Sequence, residues 1–159
     1  MNGKWSINSL MSSLLVSTEK YSYIDFLPFF LGPVKISLSK ESEKNITRSQ
    51  KYLLHNLKKN RSIYGVNTGF GNLSQIIIDS DDIQKLQKNL IRSHASGIGE
   101  PLSLGVVRTV IFLKLLTFAK GYSGVSLELV KKIIQLFNKN ILPAIPKRGS
   151  VGASGDLAP

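Results

Sequence analysis

The amino-acid sequence predicts a mainly α-helical fold with three glycine-rich loops and at most a short strand or two. Apolar residues recur at helical spacing in several stretches, and serines that can cap a helix precede four of them, at positions 6, 39, 103 and 126. Strand-like alternation is confined to VKISL at 34–38. These two observations decide the fold class.

The first forty residues are predicted to form one helix and then one strand. The helix is capped by Ser6 and carries Leu14 and Leu15 on its apolar face. Pro28 and the pair 32–33 then break the chain into extended or turn structure. The strand at 34–38 follows this break.

Two more helices are expected before residue 95. One is capped by Ser39 and runs to about Lys59. The other begins at the acidic run DSDD, 79–82, which suits the positive end of a helix, and His94 falls just after it. The inner faces comprise Ile46, Gln50, Leu53, Leu54 and Leu57 in the first, and Ile83, Leu86, Leu90 and Ile91 in the second.

After a turn at GIGEPL, 97–102, a helix capped by Ser103 is apolar on nearly every side between 106 and 119. A helix of this kind suits the centre of a large bundle, so further bundle helices are expected from elsewhere. A last helix is capped by Ser126 and ended by Pro143 and Pro146. Its inner face comprises Leu127, Val130, Ile133, Ile134 and Phe137.

Composition excludes several classes of protein. The chain has 159 residues, 42% of them hydrophobic, which suits one globular domain. It has no cysteine, and His55 and His94 lack ligand spacing, so no metal site is expected. The longest apolar run, 106–119, is too short to span a bilayer, and MNGKWSINSL lacks a signal-peptide pattern. We expect a cytoplasmic protein with no membrane partner.

The net charge of +11 raises nucleic-acid binding as an alternative. That alternative requires a contiguous Lys/Arg face and salt-dependent binding. The lysines are scattered over the predicted solvent-exposed faces of the helices, and the sequence contains no nucleic-acid recognition motif. No nucleic-acid partner is predicted.

Two of the glycine-rich loops contain candidate site residues. YGVNTGFG, 64–71, has neither the lysine of a phosphate-binding loop nor the spacing of a dinucleotide fingerprint. Tyr64 at its entry is either an aromatic anchor or a site residue. NLIRSHASGIGEPL, 89–102, carries His94, which either complements the helix dipole or serves a site. The residues alone leave both alternatives open.

The third loop, GSVGASGDLAP at 149–159, suggests a tight backbone reversal. If the reversal brings the nitrogen of Gly155 against the carbonyl of Ala153, attack closes a five-membered ring. Loss of two water molecules, one using the Ser154 hydroxyl, leaves an unsaturated imidazolone, which is an electrophile. An ordinary loop is the alternative for so short a motif.

YGVNTGFG, SHASGIGEPL and GSVGASGDLAP, in this order, resemble the aromatic amino acid ammonia-lyases, and most closely the histidine branch of that family. The resemblance covers residues 34–159, while residues 1–33 match poorly. It implies the N-terminal part of a large helical-bundle lyase, truncated after the loop that forms its prosthetic group. We therefore expect this chain to be a fragment.

The resemblance also implies roles for individual residues. Ala153, Ser154 and Gly155 would cyclise to 4-methylideneimidazol-5-one, with Asp156 in support and no metal. Tyr64 matches the catalytic tyrosine, the expected base. The substrate-binding residues would be His94 and Gly71.

The implied substrate is an aromatic amino acid, with L-histidine, converted to urocanate and ammonia, favoured by the pair 93–94 (Ser-His). Tyrosine or phenylalanine ammonia-lyase and tyrosine aminomutase are the alternatives. The resemblance further implies a homotetramer, and site residues beyond position 159, so these 159 residues alone are expected to be inactive. A non-catalytic helical remnant that binds a longer lyase subunit is the alternative from another class.

Overall fold

The structure is a computed structural model that describes residues 13–59, 61–69, 71–73, 75–78, 80–152 and 155–156. The chain divides into two compact units, one made of residues 1–52 and 102–144 and the other of residues 53–101 and 145–159. In chain order the helices and strands are β1 (Ser13–Val16), α1 (Pro28–Leu31), β2 (Lys35–Leu38), α2 (Lys40–Leu57), α3 (Ser80–His94), β3 (Gly97–Pro101), α4 (Leu104–Ala119), α5 (Leu127–Asn138), β4 (Pro146–Gly149), β5 (Val151–Gly152) and β6 (Gly155–Asp156). Single 3-10 turns lie at Tyr23–Phe26 and Gly71–Leu73. The mainly helical fold is confirmed, although the described residues form six short strands where at most one or two were predicted.

The helix starts predicted from serines are confirmed at α2, α4 and α5. The Ser39 hydroxyl accepts a hydrogen bond from the Ser42 amide at 3.1 Å, and the Ser126 hydroxyl accepts one from the Leu129 amide at 3.1 Å. Ser103 occupies the capping position with extended backbone, although its side chain accepts no capping bond. These ends follow from local sequence because a cap satisfies backbone amides one turn away.

Two residues assigned to inner helical faces are exposed instead. Leu54 is 50% exposed and Ile91 is 70% exposed, whereas Ile46 on the same face of α2 is buried. Each directly follows a residue of the predicted stripe and is therefore turned by about 100° around the helix axis. The apolar stripes are narrower than predicted.

The helix predicted across Leu14 and Leu15 is wrong where the structure describes it, because these residues belong to strand β1. That strand pairs in parallel with β2, Leu14 against Ile36 and Leu15 against Ser37. Leu14 and Val16 are buried and Leu15 faces out, which is the two-residue period of a strand. The predicted cap, Ser6, lies outside the described residues.

The core of the first unit surrounds the ring of Phe112 on α4. The centroid of this ring lies 5.2 Å from that of Phe29 and 5.7 Å from that of Tyr21, and the Phe29 and Phe137 centroids are 5.8 Å apart. The Asn138 side chain accepts from the Ile36 amide and donates to the Ile36 carbonyl, both at 2.8 Å. The end of α5 is thereby tied to β2.

Helix α4 is buried on one side only. Val107, Phe112 and Leu115 are buried in the first unit, whereas Val110 and Leu113 are nearly half exposed. The exposed side agrees with the expectation that further helices are needed to cover it. No helix in the described part of the chain is both long enough and apolar enough to cross a membrane.

The second unit contains α3 and two antiparallel strand pairs, β3 with β4 and β5 with β6. Gly97–Pro101 was predicted as a turn, and this is wrong, because the segment forms strand β3. All five residues are exposed, so the strand has no buried face and shows no alternation of buried and exposed residues. Its existence depends on pairing with a distant segment, which a local pattern does not contain.

Candidate active site

Tyr64 lies in a tight turn of the second unit. The Val66 amide donates to the Ile63 carbonyl at 3.0 Å, which makes Tyr64 and Gly65 the central residues of the turn. Gly65 has a φ of +72°, a left-handed conformation that glycine adopts without strain. The Tyr64 side chain is 64% exposed.

The side chains of Asn67 and Thr68 hold the residues on either side of Tyr64. The Asn67 Oδ1 accepts from the Ile63 amide at 2.7 Å, and its Nδ2 donates to the Arg61 carbonyl at 2.9 Å. The Thr68 hydroxyl accepts from the Gly65 amide at 3.3 Å. Both side chains are buried, so the turn is held from within.

Sequence reasoning missed Asn67 and Thr68. Their signal was present, since short polar side chains in a glycine-rich loop often bond to nearby backbone. The same loop is closed by residues 76–78: the Ile78 amide donates to the Asn67 carbonyl at 2.9 Å, and Thr68 forms an antiparallel bridge with Ile77.

Gly71 begins the 3-10 turn that follows this loop. Its φ is +56°, and a Cβ added there would meet no atom within 4 Å. Backbone conformation, not lack of space, therefore calls for glycine at this position. Tyr64 and Gly71 thus belong to one loop region of the second unit.

His94 is the last residue of α3, rather than the residue after it. Its Nδ1 lies 2.8 Å from the Leu90 carbonyl oxygen and 2.8 Å from the Ser93 hydroxyl oxygen. The ring is partly buried and lies at the negative end of the helix dipole. Its orientation is therefore defined by its own helix.

Pairing of β3 with β4 brings the segment after His94 beside the third loop. Gly97 lies opposite Gly149, and Ile98 lies opposite Arg148. Strands β5 and β6 then form a hairpin in which Val151 pairs with Asp156 and Gly152 with Gly155. Ala153 and Ser154 connect these strands and lie outside the described residues.

None of the predicted site residues that the structure describes lines the two open grooves of the first unit. One, of about 640 Å³, runs along α5, and the other, of about 650 Å³, lies between α2 and the start of α5. The second is bordered by the basic side chains Lys40, Lys44, Arg48 and Lys51. Across the described ranges, no three His, Asp or Glu side chains are close enough together to hold a metal ion.

Comparison with known proteins supplies the family. Residues 25–159 match the family described as aromatic amino acid lyase. Human histidine ammonia-lyase is 44% identical over 128 residues, which is 80% of this chain and 20% of the human protein.

Two solved structures are similar in fold. Histidine ammonia-lyase from Trypanosoma cruzi has a TM-score of 0.78 and 31% identity, over 92% of this chain and 29% of that one. Tyrosine aminomutase from Streptomyces globisporus has a TM-score of 0.80 and 29% identity, over 87% and 26% respectively. The chain thus spans less than a third of the length of each of these proteins.

Proposed function

Because this chain belongs to the aromatic amino acid lyase family, we propose that the protein carrying it eliminates ammonia from L-histidine to give urocanate. The identity to human histidine ammonia-lyase supports this substrate. The observation that supports the proposal is the pairing of β3 with β4, which brings the residues after His94 beside the segment that leads into the Ala-Ser-Gly loop. The reaction requires both segments in one site.

The residues at 152–156 fit an internally formed prosthetic group. Gly152 and Gly155 pair in antiparallel orientation, so the chain has reversed direction by Gly155. A reversal is what attack of the Gly155 amide nitrogen on the Ala153 carbonyl carbon requires. The resulting 4-methylideneimidazol-5-one would supply an electrophile that captures an amino group and makes it a better leaving group.

The other site residues have roles that their positions support. Tyr64, exposed on a turn held by buried side chains, is the proposed base that removes the β-proton of the substrate. His94 is proposed to bind the substrate side chain. Gly71 is proposed to flank the substrate, and Asp156, paired with Val151, to hold the hairpin in position.

A homotetramer in the cytoplasm is part of the same proposal. The half-exposed apolar side of α4, which includes Val110 and Leu113, supports further helices packed against it. Mass photometry of the native protein would give the subunit number, and fractionation of the source cells would give the location.

Tyrosine aminomutase is the second candidate function. Tyrosine ammonia-lyase and phenylalanine ammonia-lyase are further candidates. The similarity in fold to the Streptomyces globisporus enzyme favours the aminomutase. The products separate the candidates, since urocanate arises only from histidine and a β-amino acid arises only from a mutase.

Mass spectrometry of the protein from its native source tests the proposal. Trypsin releases the segment after Arg148, and we expect this segment to be lighter by two water molecules. Ser154→Ala should abolish the mass loss together with ammonia release. An unmodified segment in a protein without turnover would refute the proposal and favour the helical remnant.

A further inference from the structure

We propose that Ser93 and the Leu90 carbonyl hold His94 in one tautomer, with the proton on Nδ1 and Nε2 left as a hydrogen-bond acceptor. The tautomer follows from atoms of α3 alone. The identification of the group bound at Nε2 as a substrate side chain rests on the proposed function. Ser93 acts through His94 and is therefore a positioning residue.

Three atoms at the end of α3 determine the tautomer. The His94 Nδ1 lies 2.8 Å from the Leu90 oxygen, and a carbonyl oxygen has no proton to donate. An unprotonated Nδ1 at this distance would bring two lone pairs into contact. In the neutral ring the proton is therefore on Nδ1, and the negative end of the helix dipole favours the same arrangement.

Ser93 supports this tautomer through its own hydroxyl proton. The Ser93 hydroxyl donates to the Leu90 carbonyl at 3.0 Å, so its oxygen faces the His94 Nδ1, 2.8 Å away, as an acceptor. The Nδ1 proton is thus shared between the oxygens of Leu90 and Ser93. A hydroxyl free to turn would instead donate to an unprotonated Nδ1 and favour the other tautomer.

The consequence concerns which ligands bind at Nε2. A neutral imidazole protonated on Nδ1 offers an acceptor at Nε2, and no described residue forms a hydrogen bond with that atom. A ligand group bound there must donate a hydrogen bond. The imidazole N–H of histidine and the phenol O–H of tyrosine are both able to make this bond.

Nuclear magnetic resonance of the ¹⁵N-histidine-labelled native protein tests the tautomer without any need for activity. Long-range ¹H–¹⁵N correlations, recorded above the pH range where imidazole titrates, show which ring nitrogen carries the proton. His55, the other histidine of these 159 residues, is exposed near the end of α2 and serves as the internal reference. We expect His94 to carry its proton on Nδ1; a His94 with its proton mainly on Nε2 overturns the proposal.

Variants of Ser93 separate the positioning role from the fold. Ser93→Ala should raise the Nε2-protonated share of His94, and Ser93→Thr, which keeps the hydroxyl, should restore the wild-type spectrum. In the native protein, Ser93→Ala should raise the KM for histidine roughly threefold to tenfold, the worth of about one hydrogen bond, with kcat nearly unchanged.

The two readouts distinguish this inference from the proposed function. A wild-type protein that turns over no amino acid refutes the proposed function, while the tautomer of His94 is still decided by the spectrum. If Ser93→Ala changes neither the tautomer nor the KM, Ser93 has no positioning role.

Discussion

Asn67→Ala is the sharpest test of how the Tyr64 turn is held. The change removes two hydrogen bonds to backbone, one with the Ile63 amide and one with the Arg61 carbonyl. Each contributes about 1 kcal/mol net, so the loop should lose about 2 kcal/mol of local stability. The loss exceeds this value if water does not reach the Ile63 amide.

Amide hydrogen exchange measures the effect where it arises. The amides of Ile63 and Val66 should exchange roughly thirtyfold faster in the Asn67→Ala variant, because about 1.4 kcal/mol corresponds to a factor of ten. Asn72→Ala is the matched control, since Asn72 is an exposed asparagine nearby with no side-chain bond to the described residues. Equal exchange rates in both variants would show that Asn67 does not hold the turn.

Three further predictions follow from single positions. Gly121→Ala should lower the free energy of unfolding, measured by chemical denaturation, by about 2 kcal/mol or more, because φ is +75° and the new Cβ would lie 2.7 Å from the Asn45 carbonyl oxygen. Gly32→Ala is the control, since a Cβ at that position would meet no atom within 4 Å. An equal loss of unfolding free energy in the two variants would contradict the prediction. Arg108→Met should lower the free energy of unfolding by about 2–4 kcal/mol in the same assay, since the buried guanidinium donates to the backbone of α1 and to the turn after α5. Arg108→Lys should recover little of this loss, because an ammonium group lacks the planar, two-pronged donor geometry of the guanidinium. Full stability of the lysine variant would argue against a role for the guanidinium. In the native protein, Tyr64→Phe should lower kcat by roughly 10²- to 10⁴-fold with little change in KM, and a kcat close to that of wild type would exclude Tyr64 as the base.

Local chemistry explains the features that the sequence alone determined. The starts of α2 and α5 follow from Ser39 and Ser126, because a cap bonds to amides within one turn. Strand β2 follows from alternation over residues 34–38. The candidate residues Tyr64, Gly71 and His94 were found from loop motifs that resemble a known family, and the match of residues 25–159 confirms that family.

Contacts between distant segments decided the rest. Leu14 and Leu15 form a strand because β2 supplies the pairing partner, and Gly97–Pro101 forms one because β4 does. The bonds that Asn67 and Thr68 make, and the hydroxyl and carbonyl around the Nδ1 of His94, depend on atomic positions that a periodic pattern does not contain. A sequence pattern records which face of an element is apolar, whereas hydrogen bonds across a turn or between strands exist only once the chain has folded.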